Sequence, residues 1–161
     1  MKIVNCKLKI NSRGFTLIEL LIVITIIGIL VATGIYSWQA AQVKGRDNRR
    51  KTEIKAVQQA LENYFQINGK YPNSSAGTIT CNITGDSSTH AWGTAFTCGS
   101  NTYMQKLPSD PTQQLTAGYY YSSNATNTTY VVSAQLENLR DYDISQSTGC
   151  QASRNYCVKN P

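Results

Sequence analysis

Residues 14–35 are almost wholly apolar, broken by three threonines, two internal glycines and one acid, Glu19, and no side chain is charged between residues 20 and 43. A helix needs roughly 20 apolar residues to cross a hydrocarbon core of about 30 Å, so this pattern predicts a membrane-crossing helix. An ionisable group in such a segment is costly and therefore functional, and Glu19 asks for a partner cation. Past residue 37 the pattern changes: Ile54, Val57, Leu61, Tyr64 and Phe65 recur at three-, four- and seven-residue spacings, the apolar stripe of an amphipathic helix. Asn68-Gly69 and then Pro72 predict its end, with glycine at the left-handed C-cap and a following residue that cannot continue the helix. At 1.5 Å per residue, a helix over residues 15–67 would be roughly 80 Å long.

Within the apolar run, Gly28 and Ala32 are spaced as a small-x-x-x-small pair, which lets helix backbones approach where no water drives association. Arg46, Arg49, Arg50, Lys51 and Glu53 crowd the start of the polar half and predict a solvated or headgroup-facing collar, with salt bridges between subunits as the sharper reading. Residues 73–100 turn to Ser, Thr, Gly and Asn, with β-prone pieces at 78–83 and 94–98 that predict a loop or hairpin. Clearer strands are predicted at 119–122 and 130–137, separated by a turn at 124–127. In the second, Tyr130, Val132, Ala134 and Leu136 form one face, able to cover the helix stripe.

The formal charge of +6 over 161 residues loses its force once placed. Four of the fifteen basic residues, Lys2, Lys7, Lys9 and Arg13, precede the apolar run; without them eleven face nine acids, a balance of +2. That indicates no nucleic-acid partner on electrostatic grounds. Nor do basic residues orient the span, since Lys44, Arg46, Arg49, Arg50 and Lys51 balance the first four.

Cys6 lies in the basic leader. Cys81, Cys98, Cys150 and Cys157 allow three disulfide pairings, and proximity favours Cys81 with Cys98 and Cys150 with Cys157. The rival, zinc held by these cysteines with His90, lacks paired Cys-x-x-Cys spacing, so no metal or cofactor is expected. His90 is the single histidine. A serine nucleophile with His90 as base is the one catalytic arrangement on offer, and no nucleophile motif or phosphate loop accompanies it. Asn73, Asn82, Asn124 and Asn127 each begin an Asn-x-Ser/Thr triplet, which chance supplies freely in so Asn-, Ser- and Thr-rich a chain. Tyr119, Tyr120, Tyr121, Lys106 and Arg154 would serve a binding patch, although consecutive tyrosines more often straddle a strand with one side in the core.

The basic leader ending in Arg13-Gly14, followed by Phe15-Thr16-Leu17-Ile18-Glu19 and an unbroken apolar run, resembles the prepilin signal of type IV pilins and of type II secretion pseudopilins. The likeness covers residues 1–72, continues more weakly through Leu107-Pro-Ser-Asp-Pro111 towards residue 137, and then stops. It implies a cut after Gly14 by a membrane-embedded prepilin peptidase, methylation of the new amine at Phe15, and an assembly role for Glu19, the fifth residue after the cut. Where the family often has a helix-breaking proline this chain has Tyr36, which moves any weak point to Gly34. The fold expected is α+β: a long N-terminal helix under a small antiparallel head. Its divisions are a cleaved leader (1–14), a membrane and filament-core half-helix (15–36), an extracytoplasmic half-helix (37–68) and a disulfide-tethered head (69–161). The function expected is a structural, non-enzymatic subunit of a homo-oligomeric helical filament, handled by pilus or secretion machinery and held in the cytoplasmic membrane before assembly. A secretion pseudopilin is the near rival, though that branch often holds calcium in a late acidic loop and the late acids here are Asp141 and Asp143. A membrane-anchored extracytoplasmic enzyme and a minor adhesin or DNA-binding subunit are the rivals of other classes.

Overall fold

The computed structural model describes residues 14–112, 118–151 and 154–160, so the leader's basic residues and Cys6 lie outside the described residues. The chain divides into two compact units, Met1–Ala40 and Ala41–Pro161. One helix, α1 (Leu17–Asn68), contributes to both.

In the first unit α1 is apolar on every side, and its described side chains are all exposed, the large apolar ones from Leu17 at 82% to Val23 at 49%. A helix without a polar face has no side to turn to water. By length and composition it is able to cross a membrane. Its polar groups are answered locally: the Thr25 hydroxyl donates to the Ile22 carbonyl (2.7 Å) and Thr33 to Leu30 (3.0 Å). Thr hydroxyls that bond their own preceding turn leave nothing polar for lipid to solvate.

In the second unit the stripe packs as its spacing predicts: Ile54, Val57, Leu61 and Tyr64 are fully buried. Phe65 differs, remaining 37% exposed with its ring stacked 4.6 Å from Tyr71, because the residue next to Tyr64 has already turned off the stripe. The helix ends where expected, with Gly69 at φ +70° donating its N–H to the Phe65 carbonyl (2.7 Å).

Three small antiparallel sheets, rather than one, cover the stripe. The first is β1 (Asn73–Ser75), β2 (Thr78–Thr80) and β3 (Thr89–His90); the second is β4 (Phe96–Cys98) with β5 (Asn101–Met104). The third orders β6 (Tyr120–Ser123), β7 (Tyr130–Ala134) and β8 (Tyr156–Lys159), with a short helix α2 (Tyr142–Gln146) before β8. The β6–β7 pair registers Tyr121 with Val132 and Ser123 with Tyr130. Tyr130, Val132, Ala134 and Leu136 are buried as their alternation predicts. However, β7 stops at Ala134, because the amide side chain of Asn155 takes both backbone groups of Leu136, at 2.7 and 3.0 Å, in place of a strand partner.

The core is unusually rich in tyrosine, and five of the buried phenols find an acceptor, as a low-dielectric interior requires. Tyr71 and Tyr130 donate to Glu62, Tyr119 to Glu53, Tyr64 to Asn82 and Tyr121 to the Pro72 carbonyl. Of the Tyr119-Tyr120-Tyr121 run, the two outer residues are buried and Tyr120 faces outward under Arg154, 4.7 Å from the guanidinium carbon. Among the described residues no buried side-chain polar atom lacks a partner.

The β1–β2 turn is made by Ala76 and Gly77, both at positive φ, the pattern of a two-residue primed turn. A Cβ on Gly77 would sit 2.3 Å from the Tyr120 ring, while the Gly77 carbonyl accepts from Trp92 Nε1 and the Tyr121 N–H. Gly77→Ala therefore combines strain at φ +85° with a clash, and should lower stability by about 1–3 kcal/mol, read as a lower urea midpoint at unchanged slope.

Candidate functional site

Three places carry the chemistry singled out by the sequence, one in the first unit and two in the second. In the first unit, Gly14 and Phe15 precede α1, and Phe15 is 87% exposed. Glu19 Oε2 accepts from the Thr16 N–H (2.9 Å) and the Thr16 hydroxyl (2.8 Å), and the Thr16 oxygen accepts from the Glu19 N–H (3.3 Å). This is a reciprocal capping box, in which two side chains satisfy each other's orphan backbone donors at a helix start. The Thr-x-x-Glu spacing announces it in the sequence, although the cost of an acid in lipid pointed to a partner cation. Glu19 therefore has an intramolecular partner beside the Gly14-Phe15 bond, and the electrostatic demand of its carboxylate is met in part by backbone at the positive helix end. Gly28 and Ala32 are exposed, and nothing lies within 4 Å of where a Gly28 side chain would start.

In the second unit the expected solvated collar is a correction, because Arg50 is completely buried. Its Nε and Nη2 grip both oxygens of Asp110 (2.8 and 3.0 Å), its Nη1 donates to Asp47 (2.8 Å) and Glu137 (2.7 Å), and Nη2 also reaches Thr112 (3.1 Å). Arg46 closes on Glu137 through Nε at 2.8 Å, and Asp47 also accepts the N–H groups of Glu137 and Asn138 at 2.9 Å each. Lys51 Nζ lies 2.6 Å from Asp141 and 2.7 Å from Asp143. Arg49 pairs with Glu53 as an exposed i,i+4 contact, closest to the collar expected. The physical reason is register: Asp47 and Arg50 continue the spacing of Ile54, Val57, Leu61 and Tyr64, so they lie on the face that turns inward. Charged residues on an apolar stripe were the signal the sequence offered.

Burial pushes the Asp110 carboxyl up, but hydrogen bonds from Arg50 and Thr112 outweigh it and hold the group down at about 2. Glu137 is held at about 2 first by its hydrogen bond from Arg46, then by Arg50, against the opposing effect of burial. Both carboxylates thus titrate below their unfolded values. Their stabilisation is complete above about pH 5 and disappears as pH falls from there towards 2. Arg50→Ala leaves Asp110, Asp47 and Glu137 without their shared cation, and should cost about 3–5 kcal/mol at neutral pH. Chemical denaturation across pH should show that deficit shrinking below pH 5, because protonation removes the charges that Arg50 neutralised.

Cys81 is bonded to Cys98 and Cys150 to Cys157, the pairing favoured by proximity. His90 Nε2 lies 3.2 Å from Cys81 Sγ and 3.2 Å from Ser88 Oγ, with its ring edge towards Phe96. In its oxidised form the cysteine pair offers no thiolate to a cation. The Ser88–His90 contact is local, and among the described residues no carboxylate is hydrogen-bonded to the ring to orient it as a base. Of the four Asn-x-Ser/Thr triplets, Asn82 spends its side chain on Tyr64 and Tyr71, and Asn124 on Thr126, Thr128 and the backbone of 128–129.

Residues 9–35 match the family described as the prokaryotic N-terminal methylation motif. The type II secretion system core protein G of Pseudomonas aeruginosa is 32% identical over 103 residues, which cover 63% of this chain and 68% of that protein. The type IV major pilin protein PilA of Myxococcus xanthus is 42% identical over 61 residues, covering 38% of this chain but 28% of the pilin. The type IV major pilin protein PilE1 of Neisseria gonorrhoeae is 37% identical over 68 residues, 41% of each chain. No solved structure matches the chain.

Proposed function

Because the chain belongs to the type IV pilin and pseudopilin family, whose members are structural subunits and not enzymes, we propose that it builds a surface pilus through its N-terminal helix. The observation that carries this reading is the half of α1 in the first unit, apolar all round, exposed along its described length, and closed at one end by a single acid. Lipid is its first solvent and neighbouring copies of the same helix its second. Gly28 and Ala32 are where those helices come close.

In this reading the precursor sits in the cytoplasmic membrane with the disulfide-bonded head outside, in the oxidising compartment that suits Cys81–Cys98 and Cys150–Cys157. A prepilin peptidase cuts between Gly14 and Phe15 and the Phe15 amine is methylated. Intact mass measurement of assembled material should give a chain starting at Phe15 and carrying one methyl group; a chain starting at Met1 would overturn the cleavage site.

Cleavage creates an ammonium group four residues from Glu19. When a neighbouring subunit brings its Phe15 amine to this carboxylate, Glu19 exchanges part of its bonding to Thr16 for an ion pair. At about 4 Å and an effective dielectric near 20 the attraction is roughly 4 kcal/mol before desolvation, enough to set register where apolar helices otherwise slide. Glu19→Ala should leave insertion, cleavage and head folding intact while filament yield in a sheared surface fraction falls at least about tenfold relative to total subunit. Normal yield would remove Glu19 from assembly.

The match to core protein G extends over 103 residues, past the helix that all members share, and this favours a second reading as a secretion pseudopilin. Against it, Lys51 occupies both late acids, Asp141 and Asp143, which the resemblance would give to calcium in a secretion subunit. Deletion of the gene separates the two: loss of surface filaments supports the pilus, and loss of an exported protein with filaments intact supports the pseudopilus.

A further inference from the structure

Three strand segments, distant from one another along the chain by eight or nine residues, bring Cys81, His90 and Cys98 to one point of the head. Cys81 follows β2, His90 lies on β3 opposite Ile79 of β2, and Cys98 ends β4. Their ligand atoms, two Sγ and one imidazole nitrogen, all fall within 4.8 Å of one another. Ser88 Oγ stands 3.2 Å from His90 Nε2 and 3.4 Å from Cys81 Sγ, on the open side of the group. Both cysteines are buried and His90 is half-buried. Imidazole and two cysteine sulfurs, with a hydroxyl or water as fourth donor, is a donor set suited to a tetrahedral zinc ion once the sulfurs are thiolates.

We infer that Cys81, His90 and Cys98 form a zinc site in the reduced head, and that the Cys81–Cys98 disulfide and this metal site are two alternative staples of the same three strands. Zn–S bonds of about 2.3 Å at a tetrahedral centre put two sulfurs about 3.8 Å apart. The two sulfurs therefore have to part from bonding distance, and the same geometry needs an imidazole nitrogen about 3.5 Å from a sulfur. Ser88 Oγ stands 3.4 Å from Cys81 Sγ, and His90 Nε2, at 3.2 Å, has a few tenths of an ångström to move. Cys150 and Cys157 have no such histidine beside them among the described residues, so the two disulfides differ in kind.

The head emerges with thiols, and zinc binding releases the two thiol protons and holds the site shut before oxidation. A disulfide oxidant then replaces the metal. The Cys81–Cys98 bond forms, the S–S bond of the oxidant breaks and becomes a dithiol by taking up two protons, and the zinc ion leaves. No other electron donor or acceptor is needed.

The test uses the full-length protein in detergent, reduced with a phosphine under anaerobic conditions and titrated with Co²⁺ as the spectroscopic probe for zinc. One equivalent should bind with sulfur-to-cobalt charge-transfer absorption in the near ultraviolet and the strong visible bands of a tetrahedral centre. The signal should survive Cys150→Ser/Cys157→Ser, vanish in Cys81→Ser, and weaken by more than about tenfold in affinity in His90→Ala, since even second-shell losses reach that size. Adding an organic disulfide should release one equivalent of metal as the thiols disappear. If the reduced head loses structure, far-ultraviolet circular dichroism with and without one equivalent of Zn²⁺ reads the same claim, because the metal should restore the fold. Absence of charge-transfer absorption, affinity unchanged in His90→Ala, loss of the signal in Cys150→Ser/Cys157→Ser, or no recovery of structure with zinc would each overturn the site.

Discussion

A guanidinium sealed from water has to be answered by anions, and the head is arranged around that demand. Arg50 projects from α1 into the interior and collects Asp110 from the loop after β5, Glu137 from the chain after β7, and Asp47 from its own preceding turn. Those bonds are charge-assisted and, at Asp110, bidentate, so they fix direction as well as distance. Removing water from such a group costs several kcal/mol, and only a near-complete set of partners offsets it. Two otherwise irregular stretches are thereby held to the helix, where apolar packing alone would leave them few contacts.

The same helix meets a different constraint in the first unit, where its described side chains are exposed. There the polar groups are disposed of within a turn, by Thr25, Thr33 and the Thr16–Glu19 pair. Charge is confined to the segment's start, where a helix N-terminus is itself partly positive. The head instead spreads its charge over long sequence separations, as Lys51 does in reaching Asp141 and Asp143. The Thr25 and Thr33 hydroxyls, bonded within their own turn, need no rearrangement whatever surrounds the helix. Long-range satisfaction suits a domain that keeps one shape throughout.

The core chemistry of the head links these ideas. With phenols in place of many aliphatic side chains, packing brings hydroxyls inward, and Glu53 and Glu62 on the helix accept three of them. Burial pushes the Tyr71 hydroxyl up to about 12 and the Glu62 carboxylate beside it acts in the same direction, so the phenol remains a donor at any physiological pH. Sheet and helix are joined by directional bonds as well as by apolar contact.

Periodicity and composition alone determined the apolar run, the stripe ending at Gly69 and the alternation from Tyr130 to Leu136, while the order of residues around Gly14 and Glu19 carries the resemblance to the family. These are legible because each depends on residues a few positions apart, where chain geometry dictates who faces what. The partners of Arg50, the early end of β7 at Asn155, the strands β5 and β8, and the meeting of His90 with the cysteines were decided by tertiary structure. Most join residues through space across long stretches of sequence, His90 meets its cysteines through the pairing of β3 with β2, and β5 and β8 are strands of four residues too short and mixed to show a period. Arg50 marks the boundary between the two. Its place on the stripe was written in the spacing, but whether a charge there would turn outward or be buried depended on carboxylates that only folding brings within reach.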